Sequence, residues 1–292
     1  MVVRRVFLGM MGAVLTSKSA RASALSAQAT NQDSSPQMSE SSVKPRHVLC
    51  FLGGEHGLAR LSEAASTAIS DFATGFSIDH TYSQDAPDEA MSRSFEVCRD
   101  LVYPNAWSNS DEMAVAAHKS VLYVLGPPMT SESAVMTSSS ALLLIDSLIA
   151  AGALAVKGES AGIAHGLTRW RELVQQASSA LKSDNGFVLS QVCRLALSKR
   201  PLASDDRLES VGFHLVGLPE VYVPKSLGSD REIVAMIDGV ADDILRMGLA
   251  ATLETRGARM TFESSYDEDE FKFNPYGAVD LPCDVFPPLE KR

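Results

Sequence analysis

The stretch ALAVKGESAG, residues 153–162, joins an apolar strand pattern to the motif Gly-x-Ser-x-Gly. In serine esterases this motif marks the nucleophile, because a strained turn between a strand and a helix lifts the serine hydroxyl above a sheet. The following residues, 163–181, have the apolar spacing of a helix with Trp170 on its apolar side. The stretch therefore decides between a doubly wound hydrolase built around Ser160 and a smaller α+β unit in which GESAG is a turn.

The order of elements before this stretch favours the α+β unit. The patterns predict a strand at 47–52, a helix at 58–72 and a strand at 76–82. A largely irregular segment at 83–117 follows, with a helix around 110–118. A strand at 120–125, a helix at 131–151 and a strand at 153–157 complete this part of the chain. This is the βαββαβ order of a ferredoxin-like unit, covering about residues 47–157. A hydrolase sheet is mostly parallel and would place four or more strands before the nucleophile.

The second half of the chain is predicted to be a mixed α and β half with antiparallel strands. Apolar runs at 186–197 and 210–223 are typical of strands, and 229–247 has the spacing of an amphipathic helix. Residues 249–273 favour two short strands around a turn at Thr255-Arg256-Gly257. We therefore expect an α+β chain with an N-terminal half at 47–182, a C-terminal half at 183–278 and a tail at 279–292.

Residues 1–32 have the features of an export leader. They contain four basic residues and no acidic one, and R-R-x-F-L at 4–8 resembles a twin-arginine signal. A-x-A sites at 20–22 and 27–29 follow, and the apolar stretch 6–15 is shorter than the roughly 20 residues that span a bilayer. A mitochondrial transit peptide, a disordered N-terminus and a misassigned start codon are the alternatives.

The leader sets the expected location of the mature protein. Residues 33–46 are Ser-rich and polar, which is typical of a disordered linker. We predict an exported, periplasmic protein with no integral membrane segment once the leader is removed, and a cytoplasmic protein is the alternative.

Composition limits the partners. The net charge is −10 and no basic stripe occurs, so we expect no nucleic-acid partner. The acidic run at 267–270 favours a solvated loop, with a cation or basic-partner site as the alternative.

The four cysteines form no C-x-x-C and have no histidine at metal-ligand spacing, so we expect no metal site and no cofactor. Cys50 and Cys193 lie in apolar runs typical of core thiols, although export would allow disulfides.

A catalytic reading of GESAG requires partners for Ser160. A nucleophilic serine needs a base and an orienting group, which in α/β-hydrolases follow the serine along the chain. His214 is the only suitable base, with Asp205 or Asp206 as the orienting group, and the turn Gly53–Gly57 is a candidate oxyanion hole. This serine hydrolase of the esterase type is the alternative hypothesis.

The surroundings of these residues favour a structural interpretation. His214 lies in an alternating run typical of a strand, whereas the base of a hydrolase normally comes from a loop. We therefore expect GESAG to be a turn in which Ser160 or Glu159 caps the following helix.

One segment resembles a known family. VGFHLVGLPEVYV at 211–223, followed by the helix at 229–247, resembles the C-terminal part of the bacterial domain of unknown function 4261 family, and AHKSVLYV at 117–124 and GALAV at 152–156 also fit it. The resemblance covers about residues 47–260. It implies no transferable catalytic residues and places His214 in a structural segment. Members of that family usually look cytosolic, so the leader departs from the family's pattern.

Taken together, these patterns favour a protein that is not an enzyme. We expect a non-catalytic binding or interaction module, of the bacterial conflict, immunity or envelope kind, whose partner is an unidentified protein or small molecule.

Overall fold

The computed structural model describes residues 44–103, 107–204, 206–262 and 274–283. The predicted leader (1–32), linker residues 33–43, Asp205, the acidic run at 267–270 and tail residues 284–292 lie outside these ranges. The N-terminal half contains β1 (Val48–Gly53), α1 (Gly57–Asp71), β2 (Ser77–Gln84), α2 (Met91–Cys98), α3 (Asn109–Ala116), β3 (Ser120–Leu125), α4 (Ser131–Ala150), β4 (Ala155–Gly158), β5 (Ile163–His165) and α5 (Leu167–Lys182). The C-terminal half contains α6 (Gly186–Leu197), β6 (Lys199–Ala203), β7 (Arg207–Val211), a 3₁₀ turn (Phe213–Val216), β8 (Glu220–Pro224), a second 3₁₀ turn (Lys225–Leu227), α7 (Asp230–Met247), α8 (Leu249–Arg256), β9 (Arg259–Thr261) and β10 (Ala278–Asp280).

The N-terminal sheet confirms the predicted α+β class and its ferredoxin-like unit. Its strand order is β2-β3-β1-β4-β5, and all neighbouring strands are antiparallel. The first four strands have the split βαβ order in which each crossover helix skips one strand. The short strand β5 extends the sheet beyond β4.

The two faces of this sheet carry different cores, because successive side chains of a strand point to opposite faces. One face carries Leu49, Phe51 and Val156, which belong to the main hydrophobic core together with residues of α1, α4 and α5. The other face carries Cys50 and Leu52, in a smaller cluster that α2 and α3 cover.

The segment at 83–117, predicted to be irregular up to a helix near residue 110, contains a helix that sequence reasoning missed. Helix α2 buries Met91, Phe95 and Cys98, which follow one another at i, i+4 and i+7 on one helical face. With α3 it forms an insertion between β2 and β3 that closes the second face of the sheet.

Two strand predictions in the second half are wrong. The run at 186–197 is helix α6, not a strand, and most of its side chains are buried. Residues 249–256 form α8, in which Gly257, at φ +59°, ends a helix instead of turning a hairpin. In both cases local propensity was ambiguous and tertiary packing decides the structure.

The second sheet is mostly antiparallel, as predicted. Its strand order is β6-β7-β8-β10-β9, and the exception is the parallel pair β8–β10. The run at 210–223 is two strands, β7 and β8, separated by the 3₁₀ turn.

Helix α4 lies where the two halves meet. By length and composition it could cross a membrane, but half of its apolar window is buried inside the fold. Its buried apolar residues between Ala141 and Ile149 belong to a main core that also includes Phe213, Val221 and Ile237 of the C-terminal half. This placement is typical of a core helix.

Candidate functional site

GESAG is the turn of a β-hairpin. Strands β4 and β5 pair antiparallel with Gly158 opposite Ile163, and Gly162 has a φ of +63° that suits glycine. Helix α5 begins at Leu167, after Gly166 in the N-cap position. The predictions that a helix starts at Ile163 and that Ser160 or Glu159 caps it are therefore wrong. A strand–turn–strand setting also lacks the strand-to-helix geometry of a nucleophile elbow.

The hydroxyl of Ser160 bonds to the backbone at the start of β1. It donates to the carbonyl oxygen of Arg46 at 2.8 Å and accepts from the amide of Val48 at 2.8 Å. The amide of Glu159 also donates to the carbonyl of Val48 at 2.8 Å. A nucleophile must give its hydroxyl hydrogen to a base, whereas this one is directed at a carbonyl. Ser160 therefore fastens the hairpin turn to the first strand.

His214, the predicted base, lies in the 3₁₀ turn at Phe213–Val216 and not in a strand. Its Nδ1 is 3.5 Å from Oε1 of Glu220, a carboxylate that is 1% exposed. Glu220 also accepts bonds from the amides of Gly212 and Phe213 at 2.9 Å. The carboxylate beside His214 is thus Glu220, which sequence reasoning did not assign to it.

The fold brings the segments of Ser160 and His214 together without pairing the two side chains. A Cβ atom on Gly212 would lie 2.4 Å from the Cβ of Ala161, so only glycine permits this close approach. In the described residues, the hydrogen bonds of Ser160 both go to backbone groups. Asp206 is 80% exposed and lies 3.8 Å from Arg207, and Asp205 is outside the described residues.

The candidate oxyanion hole lies at the wrong end of β1. Ser160 contacts Val48, the first residue of that strand, whereas the turn Gly53–Gly57 begins at its last residue. Five residue steps of an extended strand separate these positions by roughly 16 Å. The turn can therefore not stabilise charge at Ser160.

A buried ion pair that includes the glutamate of GESAG is the chemical feature that sequence reasoning missed. Lys157 is 1% exposed, and its Nζ lies 2.8 Å from Oε1 of Glu159. The hydroxyl of Tyr123 donates to the same carboxylate at 3.2 Å, and Lys157 donates to Ser94 of α2. The sequence contained a signal for this pair. Lys157 and Glu159 are two residues apart at a predicted strand end, and residues i and i+2 of a strand share one face.

Burial and the charges of this pair together set the pKa values of the neighbouring groups. Burial alone would lower the pKa of Lys157, but Glu159 and the neighbouring Cys50 raise it, so the ammonium stays charged. Burial raises the pKa of the Cys50 thiol to about 12. The pKa of Tyr123 is also raised, chiefly by burial. These groups are held in their ordinary protonation states at neutral pH and are not poised for proton transfer.

A second buried network joins the two halves of the chain. Ser138 of α4 donates to the carbonyl of Leu215 at 2.6 Å, so Nε2 of His47, 2.9 Å from the same hydroxyl, must be the donor to it. Burial, together with the nearby His214, lowers the pKa of His47 to about 3. His47 is therefore a neutral structural group.

Two open grooves lie on the surface of the described residues. One groove lies between α5 and α6 and another between α1 and α4, and neither is lined by Ser160, Lys157 or His214. Among the described residues, no three His, Cys, Asp or Glu side chains are arranged to bind a metal ion.

Comparisons with protein-family models, curated proteins and solved structures find no match to this chain. The resemblance to the domain of unknown function 4261 family thus stays a prediction.

Proposed function

We propose that the chain is a non-catalytic binding module that acts through its surface. The observation that supports this most directly is the setting of Ser160. The one motif in the sequence that points to catalysis forms a hairpin turn, and its hydroxyl bonds to the backbone of Arg46 and Val48.

The buried polar groups support the same proposal. Lys157 and Glu220 are each 1% exposed, and their partners come from other parts of the fold and not from a cleft. Lys157 reaches Ser94 of α2, and Glu220 accepts from Asn274 at 3.0 Å. Catalytic groups must meet a substrate, whereas these groups fix elements to one another.

An activity-based probe tests the proposal. We expect a fluorophosphonate probe to leave the full-length chain unlabelled under conditions in which an added serine esterase is labelled completely. Stoichiometric labelling that disappears in Ser160→Ala would overturn the proposal, because it would show an activated serine. Labelling that persists in Ser160→Ala would place reactivity elsewhere and would equally contradict a non-catalytic module.

The predicted location belongs to the same proposal. The R-R-x-F-L leader and the A-x-A sites support an exported, bacterial protein. Cell fractionation with N-terminal sequencing of the mature chain tests this. We expect a periplasmic chain that begins after residue 22 or 29, and an unprocessed cytosolic chain would contradict export.

A further inference from the structure

His118 is hydrogen-bonded to the loop between β2 and α2. Its ring is 4% exposed, and Nε2 of the ring lies 2.9 Å from the backbone nitrogen of Asp88. Its Nδ1 lies 2.6 Å from the carbonyl oxygen of Val115, in the last turn of α3. The histidine therefore joins two segments of the insertion that lie 30 positions apart in the chain.

These two contacts fix the protonation of the ring. The amide of Asp88 can only donate, so Nε2 must accept and has no hydrogen. The carbonyl of Val115 can only accept, so the hydrogen is on Nδ1. An imidazolium has a hydrogen on both nitrogens and would place two N–H groups against each other at Asp88. The bond to Asp88 and a proton on Nε2 therefore exclude each other.

The loop depends on this bond because its other hydrogen bonds are local. We call residues 85–90 the latch loop. Across the described parts of the chain, its remaining hydrogen bonds stay between positions 84 and 94, such as the one that the amide of Ala90 donates to the Asp88 carboxylate at 2.9 Å. Helix α2, which follows, begins without a side-chain cap. Loss of the bond to His118 therefore frees the latch loop.

Helix α2 has separate anchors, so the release is confined to the loop. Met91, Phe95 and Cys98 are buried on one side of the helix, and Ser94 accepts from Lys157. These contacts involve no histidine and persist when His118 takes up a proton.

The charged groups around His118 have other partners or face solvent. Among the residues that the structure describes, no ion pair reaches the ring, and each neighbouring charged side chain is paired, hydrogen-bonded to another group or exposed. They are Asp85, Asp88 and Glu89 of the latch loop, Arg93 and Glu96 of α2, Asp111 and Glu112 of α3, Lys119, and the pair Lys157 and Glu159.

We propose that His118 is a pH-sensitive latch, which holds the latch loop when the ring is neutral and releases it when the ring is protonated. Histidine is the side chain whose charge ordinarily changes between pH 5 and 8. The loop contains the carboxylates of Asp85, Asp88 and Glu89, so its release frees an acidic segment at the surface. This inference goes beyond the proposed binding function and does not depend on it.

Hydrogen exchange of the full-length chain, followed by mass spectrometry and corrected for the intrinsic effect of pH, tests the latch. An unrestrained histidine takes up its proton near pH 6.5, whereas the closed latch excludes that proton, so opening is favoured about tenfold more at pH 5.5 than at pH 7.5. We expect the protection of a peptide that covers residues 85–90 to fall by the same factor. The loop should also exchange faster than α5 at both pH values, because it opens locally.

Two variants separate His118 from other titrating groups. His118→Gln offers an amide oxygen to Asp88 at every pH, so the protection of its loop should change less than about twofold. His80→Gln, at an exposed side chain on β2, should keep the pH response of the natural chain. A response that persists in His118→Gln overturns the proposal. Loop protection that does not change with pH in the natural chain also overturns it, because the protonated ring would then still hold the loop.

The tautomer of the ring can be measured directly. In long-range nitrogen–proton spectra at pH 7.5, we expect the His118 signal, assigned by its absence from His118→Gln, to have its hydrogen on Nδ1. A hydrogen on Nε2 overturns the latch, since that nitrogen could not accept from Asp88. Exchange of the loop at the rate of α5 would mean that it opens only with the whole fold, and would equally overturn the proposal.

Discussion

The ammonium of Lys157 lies 2.8 Å from the carboxylate of Glu159, two residues along the same strand end, and the two side chains are 1% and 10% exposed. Both charges are nearly removed from water. Such a pair contributes little net stability over an apolar replacement, but either charge alone in the same place is costly. The pair also contacts Ser94, so it fixes the position of α2 on the sheet.

Removal of one partner of this pair should destabilise the fold strongly. We expect Lys157→Met to lower the free energy of unfolding by about 3 kcal/mol or more, because Glu159 is left charged and buried. The double variant Lys157→Met/Glu159→Gln should lose less than the sum of the single losses. Urea unfolding measures each value. Arg93→Met breaks the exposed pair with Glu96 and should cost less than about 0.5 kcal/mol, and equal losses at the two sites would contradict the argument.

Ser160→Ala should destabilise the fold, because it removes two hydrogen bonds between the hydroxyl and the backbone. We expect a loss of about 1–2 kcal/mol, because the amide of Val48 loses its acceptor in a half-buried place. The control is Ser66→Ala, whose hydroxyl bonds to Ser62 on exposed α1. That change should alter the unfolding free energy by less than about 0.5 kcal/mol. If Ser160→Ala is as neutral as the control, the hydroxyl does not fasten the hairpin.

Arg194 of α6 joins this helix to α7 through two carboxylates. Its side chain is 3% exposed and lies 3.0 Å from Asp242 and 3.4 Å from Asp238. We expect Arg194→Met to cost about 3 kcal/mol in thermal or urea unfolding, since two carboxylates lose their cation. Asp242→Asn should cost less, because Asp238 still pairs with the guanidinium. The reverse order of losses would show that Asp242 alone carries the link.

The sequence predicted the first half better than the second, for a physical reason. The ferredoxin-like unit has local strand and helix patterns with clear glycine and proline stops. In contrast, α6 is apolar on most sides, and a buried helix of this kind cannot be distinguished from a buried strand by periodicity alone. The overlooked signal was Asn185, whose side chain accepts from the amide of Val188 at 3.1 Å and caps the helix.

The expected turn at GESAG is confirmed, but its expected role as the cap of a helix was wrong for a related reason. Three residues, Ile163–His165, form β5, and a strand so short has no recognisable period. Its pairing with β4 changes GESAG from an elbow into a hairpin turn. The link between His214 and Glu220 depends on a glycine-initiated 3₁₀ turn, in which Gly212 has a φ of +94°, and an alternating pattern does not reveal it.

The thiols should react unequally. Cys283 is exposed, whereas Cys50, Cys98 and Cys193 are buried. Burial raises the pKa of Cys193 to about 12, and the pKa of Cys98 is raised as well, so few thiolates form at neutral pH. We expect an aromatic disulfide reagent to titrate one thiol rapidly in the native chain and four in urea. Cys283→Ser should abolish the rapid phase, and a rapid phase that remains would mean that the core opens readily.

His47 should make the stability depend on pH. The folded chain keeps this side chain neutral to about pH 3, while the unfolded chain takes up a proton near 6.5. Its contribution to stability is therefore complete above pH 6.5 and declines as the pH falls, by about 1.4 kcal/mol per pH unit once the unfolded histidine is protonated.

His47→Gln cannot titrate, and its amide can still donate to Ser138. We expect the stability advantage of the natural chain over His47→Gln to shrink by about 1 kcal/mol between pH 6.5 and 5.5 in urea unfolding. His80→Gln, at an exposed side chain, should keep the slope of the natural chain, and an equal slope in His47→Gln would show that His47 is protonated in the folded state.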